Sequence, residues 1–188
     1  NDERIWGLYA NGITSTLNQI DSEYATNLVR KYKPATVEEL TFFVAALRPS
    51  FNAWRDKFLK RESFETGIKQ YDEIMKPSGG MPIFQESLMV FFEWLKIPPG
   101  ESIGLIKKIS KKKIKPEDFE ALETNLKNEW LIKTGSMDGF DKIWSDIQSM
   151  MAYGFAAPHA YATAIDSLYG AYLKVNYPLE YYTVCFNE

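Results

Sequence analysis

Six lysines and no acid fall within residues 107–115, which read KKISKKKIK. Clustered ammonium groups of one sign are the pattern expected of a surface that meets phosphate. A second set of cations lies earlier, with Arg48 just before Pro49 and then Arg55, Lys57, Lys60 and Arg61. Arginine offers a planar fork that fits phosphate oxygens, and lysine a compact charge. His159, the one histidine, stands at the start of a predicted helix, where free amides favour an anion and the ring could donate to it. The candidate phosphate-binding residues are therefore Arg48, Lys60, Arg61, Lys107, Lys108, Lys111, Lys112, Lys113 and His159. Each set also has a plainer reading, as solvated charge at the ends of helices.

No catalytic residue is assigned. The chain has no phosphate loop, dinucleotide-binding glycine motif, nucleophile elbow, paired-cysteine spacing or zinc-protease motif. Two-metal phosphoryl transfer needs acids held a few ångströms apart, often as Asp-x-Asp on a strand, and no Asp-x-Asp occurs. Glu38-Glu39 and Glu117-Asp118 stand at helix starts, where capping and the helix dipole account for them. His159 as a lone general base lacks an orienting carboxylate. Asp166 is two helical turns away, beyond direct hydrogen-bond reach. No metal ligands are assigned either.

The chain has 188 residues and a net charge of −3. With 45% hydrophobic and 15% aromatic residues it can build a packed core. The charge is unevenly placed, since residues 116–188 are acidic while the positive charge gathers in the lysine run. A single cysteine, Cys185, excludes an internal disulfide. There is no secretory signal pattern and no apolar run long enough for a membrane helix, so the reading is a cytoplasmic protein with no membrane partner. The first residue is not Met, which reads as a processed or excised piece.

Proline and glycine punctuate segments of helical length and period. Ser22 to Lys33 reads as a helix capped by Asp21 and ended by Pro34. Thr36 and Glu39 form a capping-box pattern opening a helix that Pro49 ends. Phe51, Trp54 and Phe58 share a helical spacing, as do Phe64, Ile68, Tyr71 and Met75. Residues 76–80 (KPSGG) read as a loop and a candidate lobe boundary. Phe84 to Leu95 reads as a buried helix, broken by Pro98-Pro99-Gly100, and Ser102 to Ile109 as a short helix leading into the lysines. Pro116 opens a helix closed by Gly135. Asp138 caps another, running to Tyr153 and closed by Gly154. Pro158 opens a long helix rich in small residues. From Leu179 to Phe186 helix and strand both remain open. These elements predict an all-α, multi-helix domain of 8–10 helices with few or no strands, in two lobes, 1–76 and 77–188.

Three ordered stretches resemble the C-family replicative DNA polymerases of bacteria and their phages, the polymerase III alpha type. Tyr153-Gly154-Phe155-Ala156-Ala157-Pro158-His159, continuing to Lys174-Val175-Asn176-Tyr177-Pro178, is similar to the family's "YGFNKSHAxAY…AYLKANYP" block. Ile83 to Met89 is similar to "YQEQVM", and the lysine run follows where the family has paired arginines and then lysines. Pro34 to Leu40 and Ala46 to Pro49 are similar to the segment ending in Arg-Pro-Gly. By position Arg48 matches that arginine, Lys107 and Lys108 the arginine pair, Lys112 and Lys113 the lysines, and His159 the family histidine. Ala157 stands where the family has lysine, Thr163 where it has tyrosine, and Ser50 where it has glycine.

The resemblance implies a fingers region that grips the incoming deoxynucleoside triphosphate and borders primer-template DNA. Its partners would include the palm and other domains of a parent polymerase. The parent would be a nucleotidyltransferase using Mg2+ held by palm aspartates. This piece alone would bind no cofactor and catalyse nothing. The alternative is a stand-alone helical module that binds a protein partner through its aromatic and small-residue faces.

Overall fold

A computed structural model describes residues 2–151 and 155–187. Among the described residues there are eleven α-helices: α1 (Glu3–Asn11), α2 (Glu23–Tyr32), α3 (Val37–Ala46), α4 (Asn52–Leu59), α5 (Lys69–Met75), α6 (Gln85–Trp94), α7 (Pro99–Ser110), α8 (Pro116–Thr134), α9 (Phe140–Met151), α10 (Ala157–Asn176) and α11 (Pro178–Asn187). Two single 3-10 turns, Pro49–Phe51 and Lys76–Ser78, complete the regular structure. The fold is all-α, and the one β-type pairing among the described residues is an isolated parallel bridge between Phe84 and Phe155. The eleventh helix beyond the expected range is α1.

The helices gather into two compact units that interleave along the chain. One comprises residues 1–48, 52–62 and 157–188, and the other residues 49–51 and 63–156. The lobe boundary expected near residue 76 lies inside the second of these.

In the first unit, α10 packs against α3, α1 and α11. Its buried residues Ala160, Thr163, Ala164, Ser167, Ala171 and Lys174 repeat every three or four positions, so one stripe faces inward. Small side chains on that stripe let the backbones approach closely. The facing helix α3 is enclosed, with Leu40, Thr41, Phe43, Val44, Ala45 and Ala46 all buried. Tyr9 is fully buried and its hydroxyl pairs with Ser167 Oγ at 3.0 Å. Burial pushes the Tyr9 phenol up to about 12. Tyr32 lies in a stack, 4.3 Å from the Phe58 ring centroid and 5.8 Å from Phe43.

The second unit is held by an aromatic core on α5, α6, α8 and α9, including Tyr71, Phe91, Phe92, Trp130, Phe140 and Trp144. The Trp130 ring meets Trp94 and Phe140 edge to face, each at 5.6 Å, the arrangement that aromatic quadrupoles favour. A bond from Gln85 N–H to the Phe155 carbonyl, 2.9 Å, fixes the start of α6.

Several expected boundaries move for identifiable reasons. Ser22, not Asp21, caps α2, its hydroxyl accepting from Ala25 N–H at 3.2 Å. Phe64 stays outside α5 because residues 66–67 wrap the Asp72 carboxylate. That carboxylate accepts from Thr66 N–H, Thr66 Oγ and Gly67 N–H at 2.8–2.9 Å. The Lys76–Ser78 turn closes on two left-handed glycines, Gly79 and Gly80, with the buried Ser78 hydroxyl within reach of the Met75 and Met81 carbonyls. Helix α7 begins at Pro99 rather than Ser102, since a proline at the first helical position removes no helical hydrogen bond. Helix α9 begins at Phe140, and Asp138 lies in the preceding turn, its N–H donating to Ser136 Oγ. The expected end of that helix at Tyr153 and Gly154 lies outside the described residues. The last segment is helix α11, not a strand.

Candidate functional site

The lysine run is built on the C-terminal end of α7. Lys107 and Lys108 occupy its last turn, and Lys111 is the cap. Lys112 then turns left-handed, φ 52, and its N–H reaches the Ile109 carbonyl at 2.9 Å. The Lys113 N–H bonds back to the Lys108 carbonyl at 2.8 Å. These two bonds are the Schellman closure of a helix, with lysine at the position usually held by glycine. A side chain in that conformation costs about 1 kcal/mol or more. The chain therefore reverses sharply and fans out Lys107, Lys108, Lys111, Lys112 and Lys113, all exposed. None of the five makes a side-chain ion pair among the described residues. Their charge also suits the negative end of the helix dipole.

The cations of the first unit behave differently. Arg61 clamps Glu39 with both terminal nitrogens, at 2.5 and 3.1 Å, and donates to the Tyr32 and Lys33 carbonyls at 3.1 Å. Its guanidinium also lies over the Tyr32 ring, 4.6 Å from the centroid. Glu39 in turn accepts from Ala35 N–H at 2.8 Å, while Thr36 Oγ accepts from Glu39 N–H at 3.1 Å. The capping pattern of α3 is thus present, with the return bond one residue earlier than the usual box. The Arg61 guanidinium holds the Glu39 carboxyl below its ordinary range. Lys60 is exposed beside this cluster in sequence.

Arg48 is half-buried in the turn after α3. Its carbonyl accepts from Arg55 Nη2 at 2.8 Å. Arg55 also donates to the Ala46 carbonyl through Nε and Nη2 at 3.2 and 3.1 Å, and to Asn52 Oδ1. Arg55 therefore closes the end of α3 and fixes the turn that carries Arg48. His159 lies exposed in the first turn of α10. Thr163 is buried on the α10 stripe, while Tyr161 is exposed on another face.

The candidates fall into two groups. Arg48, Lys60, Arg61 and His159 belong to the first unit, and the five lysines to the second. The pattern of charge along the chain carries no sign of what Lys174 does. Lys174 is buried, and its ammonium donates to the Ile13 and Ser15 carbonyls at 3.1 and 2.8 Å and to Ser15 Oγ at 3.2 Å. It ties α10 to the loop after α1. The family-like Leu-Lys-x-Asn-Tyr-Pro pattern marks the residue without revealing these partners. Among the described residues no group of three or more His, Cys, Asp or Glu could hold a metal ion. No helix of the described residues is long and apolar enough to cross a membrane.

The fold and the exposed lysine turn define an all-helical domain with one strongly cationic helix end. Residues 1–131 match the family described as the bacterial DNA polymerase III alpha subunit finger domain, and the chain belongs to that family. That span contains Arg48, Lys60, Arg61 and the lysine run. The chain is also similar to the DNA polymerase III subunit alpha of Aquifex aeolicus (strain VF5), 27% identical over 191 residues, covering 97% of this chain and 16% of the relative. The corresponding subunit of Streptococcus pyogenes is 26% identical, covering 99% of this chain and 18% of the relative. That of Campylobacter jejuni is 26% identical, covering 96% and 16%. The chain thus spans less than a fifth of the length of these relatives.

Proposed function

We propose that this chain is the part of a DNA-directed DNA polymerase that meets the phosphates of the incoming deoxynucleoside triphosphate and of primer-template DNA. The observation that carries the reading is the lysine turn after α7. Five ammonium groups are displayed there without carboxylate partners among the described residues, on a backbone turn that holds one of them in a costly conformation. Stabilising phosphate charge with fixed cations is what phosphoryl transfer asks of such a domain.

Lys107, Lys108, Lys111, Lys112 and Lys113 are the phosphate ligands in this reading. Arg48 and His159 are separate candidate phosphate contacts of the first unit, with Arg55 positioning the Arg48 turn. Lys60 is an auxiliary contact. Arg61, engaged by Glu39 and two carbonyls, holds the shape of the surface. The catalytic carboxylates and Mg2+ belong to a palm domain of the parent, in the cytoplasm. In this reading the isolated chain has no nucleotidyl transfer activity of its own.

An amide NMR titration with a deoxynucleoside triphosphate, then with a short primer-template, tests this. The expected result is shifts at Lys111 to Lys113, Arg48 and His159 that fade as salt rises. Absence of shifts at all of these positions at millimolar ligand and low salt would contradict the proposal.

A further inference from the structure

A second basic site lies in the first unit, among residues the reading above does not use. Ala10, Asn27, Arg30, Lys31 and Lys33 line a concave pocket of about 620 Å³. The lining holds three cations and one amide, with no carboxylate and no aromatic ring. Arg30, Lys31 and Lys33 are exposed and make no side-chain ion pair among the described residues.

The pocket forms where α1 and α2 end. Gly12 closes α1 in the left-handed region, φ 72, and Lys33 closes α2 likewise, φ 52. The Arg30 stem lies directly over Gly12. A Cβ there would stand 2.4 Å from Arg30 Cδ and 2.8 Å from Cγ. Gly12 thus serves both the turn and the seat of the arginine stem, which fixes where the guanidinium emerges. Neutralising helix ends is the plain role for such cations. Here the cap amides already serve late carbonyls of both helices. Gly12 N–H bonds to the Tyr9 carbonyl at 3.1 Å and Lys33 N–H to the Val29 carbonyl at 2.8 Å.

We infer that this pocket binds phosphate, and that the source is the backbone of a DNA strand. Three uncompensated cations select an anion. A lining without a ring offers no base a stacking face, so the pocket reads the strand without reading sequence. The inference rests on the reading that this domain meets DNA, but not on the lysine turn.

The test compares three chains by fluorescence anisotropy with a labelled duplex across a salt series: the unaltered chain, R30Q/K31Q/K33G, and K107Q/K108Q/K111Q/K113Q. K33G removes a charge while relieving a left-handed lysine, and circular dichroism checks that each chain is folded. R30Q/K31Q/K33G is expected to bind at least about tenfold more weakly, with the slope of log affinity against log salt reduced by about two to three. Unchanged affinity and slope in that folded variant overturn the inference, and the cations then serve only the helix ends. Loss confined to the lysine-turn variant overturns the inference while leaving the proposed function standing. Loss confined to the pocket variant supports the inference and removes the lysine turn. No DNA binding by the unaltered chain at low salt overturns both. A parallel NMR titration with inorganic tripolyphosphate separates the sources. Shifts at residues 30–33 with tripolyphosphate, and none with DNA, overturn the assignment to a strand.

Discussion

Two regions, the clasps of the first compact unit and the lysine turn of the second, use their cations in opposite ways. In the first, Arg55, Arg61 and Lys174 are turned onto backbone carbonyls, and Arg61 also onto a carboxylate. They act as internal clasps for chain turns. In the second, Lys107, Lys108, Lys111, Lys112 and Lys113 point away from the aromatic core into solvent. Charge that satisfies the fold's own acceptors contributes to stability, whereas charge left unpaired contributes little and is available to a ligand. The same residue types, close in sequence composition, thus separate into structural and functional sets by what they touch.

Removing a clasp should have the largest effect on stability. Lys174→Met leaves the Ile13 and Ser15 carbonyls without their buried donor. It should lower stability by about 2–3 kcal/mol, read as a fall in urea midpoint. Arg61→Ala removes two carbonyl bonds, the Glu39 pair and cover over Tyr32. Because the guanidinium is partly exposed, a smaller loss of about 1–2 kcal/mol is expected in the same assay. A variant as stable as the unaltered chain at either position would dissolve the distinction between the clasps and the lysine turn.

The clasp should also show in pH. The folded-state pKa of Glu39 is lowered, so its stabilisation is present above the ordinary carboxylate value of 4.5 and disappears as pH falls below it. Melting temperature should fall on acidification, and less steeply in Arg61→Ala. At the alkaline end, Tyr9 and Tyr32 are raised from 10 to about 12 by burial. Stability they support is present below pH 10 and is lost as pH rises towards 12, which chemical denaturation between those values would record.

The smallest stability effects belong to the lysine turn. Lys111→Gln and Lys113→Gln should change stability by no more than about 0.5 kcal/mol. Lys112→Gly should raise it by up to about 1 kcal/mol, because glycine adopts the left-handed conformation without steric conflict. A stabilised chain that binds DNA more weakly would sharpen the contrast between charge kept for the fold and charge kept for a ligand.

Much of the fold was readable in the sequence because its signals are local. Pro116 and Gly135 bracket α8 as a start proline and a left-handed end glycine. Thr36 and Glu39 announce α3, and the small residues of α10 were visible, although which face inward was not: Ala162 is exposed, while Thr163, Ser167 and Lys174 share the buried stripe. Helix α1 was not read, although Asp2 caps it and Gly12 closes it, because with buried positions at Ile5 and Tyr9 its apolar pattern is too short to stand out. The lysine run was visible as composition, but the reversal that displays it depends on a lysine taking a conformation that propensity assigns to glycine. The clasps were hidden for a different reason. Arg61 meets Glu39 across 22 residues, and Lys174 meets Ser15 across 159. Periodicity reports neighbours within a turn or two of helix, so such partners emerge only when the chain is folded.

The most direct test of the central claim is the salt dependence of duplex DNA binding by a chain with Lys107, Lys108, Lys111, Lys112 and Lys113 all changed to glutamine. If these lysines are phosphate ligands, the slope of log affinity against log salt should fall by about four, with melting temperature nearly unchanged. An unchanged slope in a folded variant would mean that the lysine turn is only a solvated helix end and that the account of this surface is wrong.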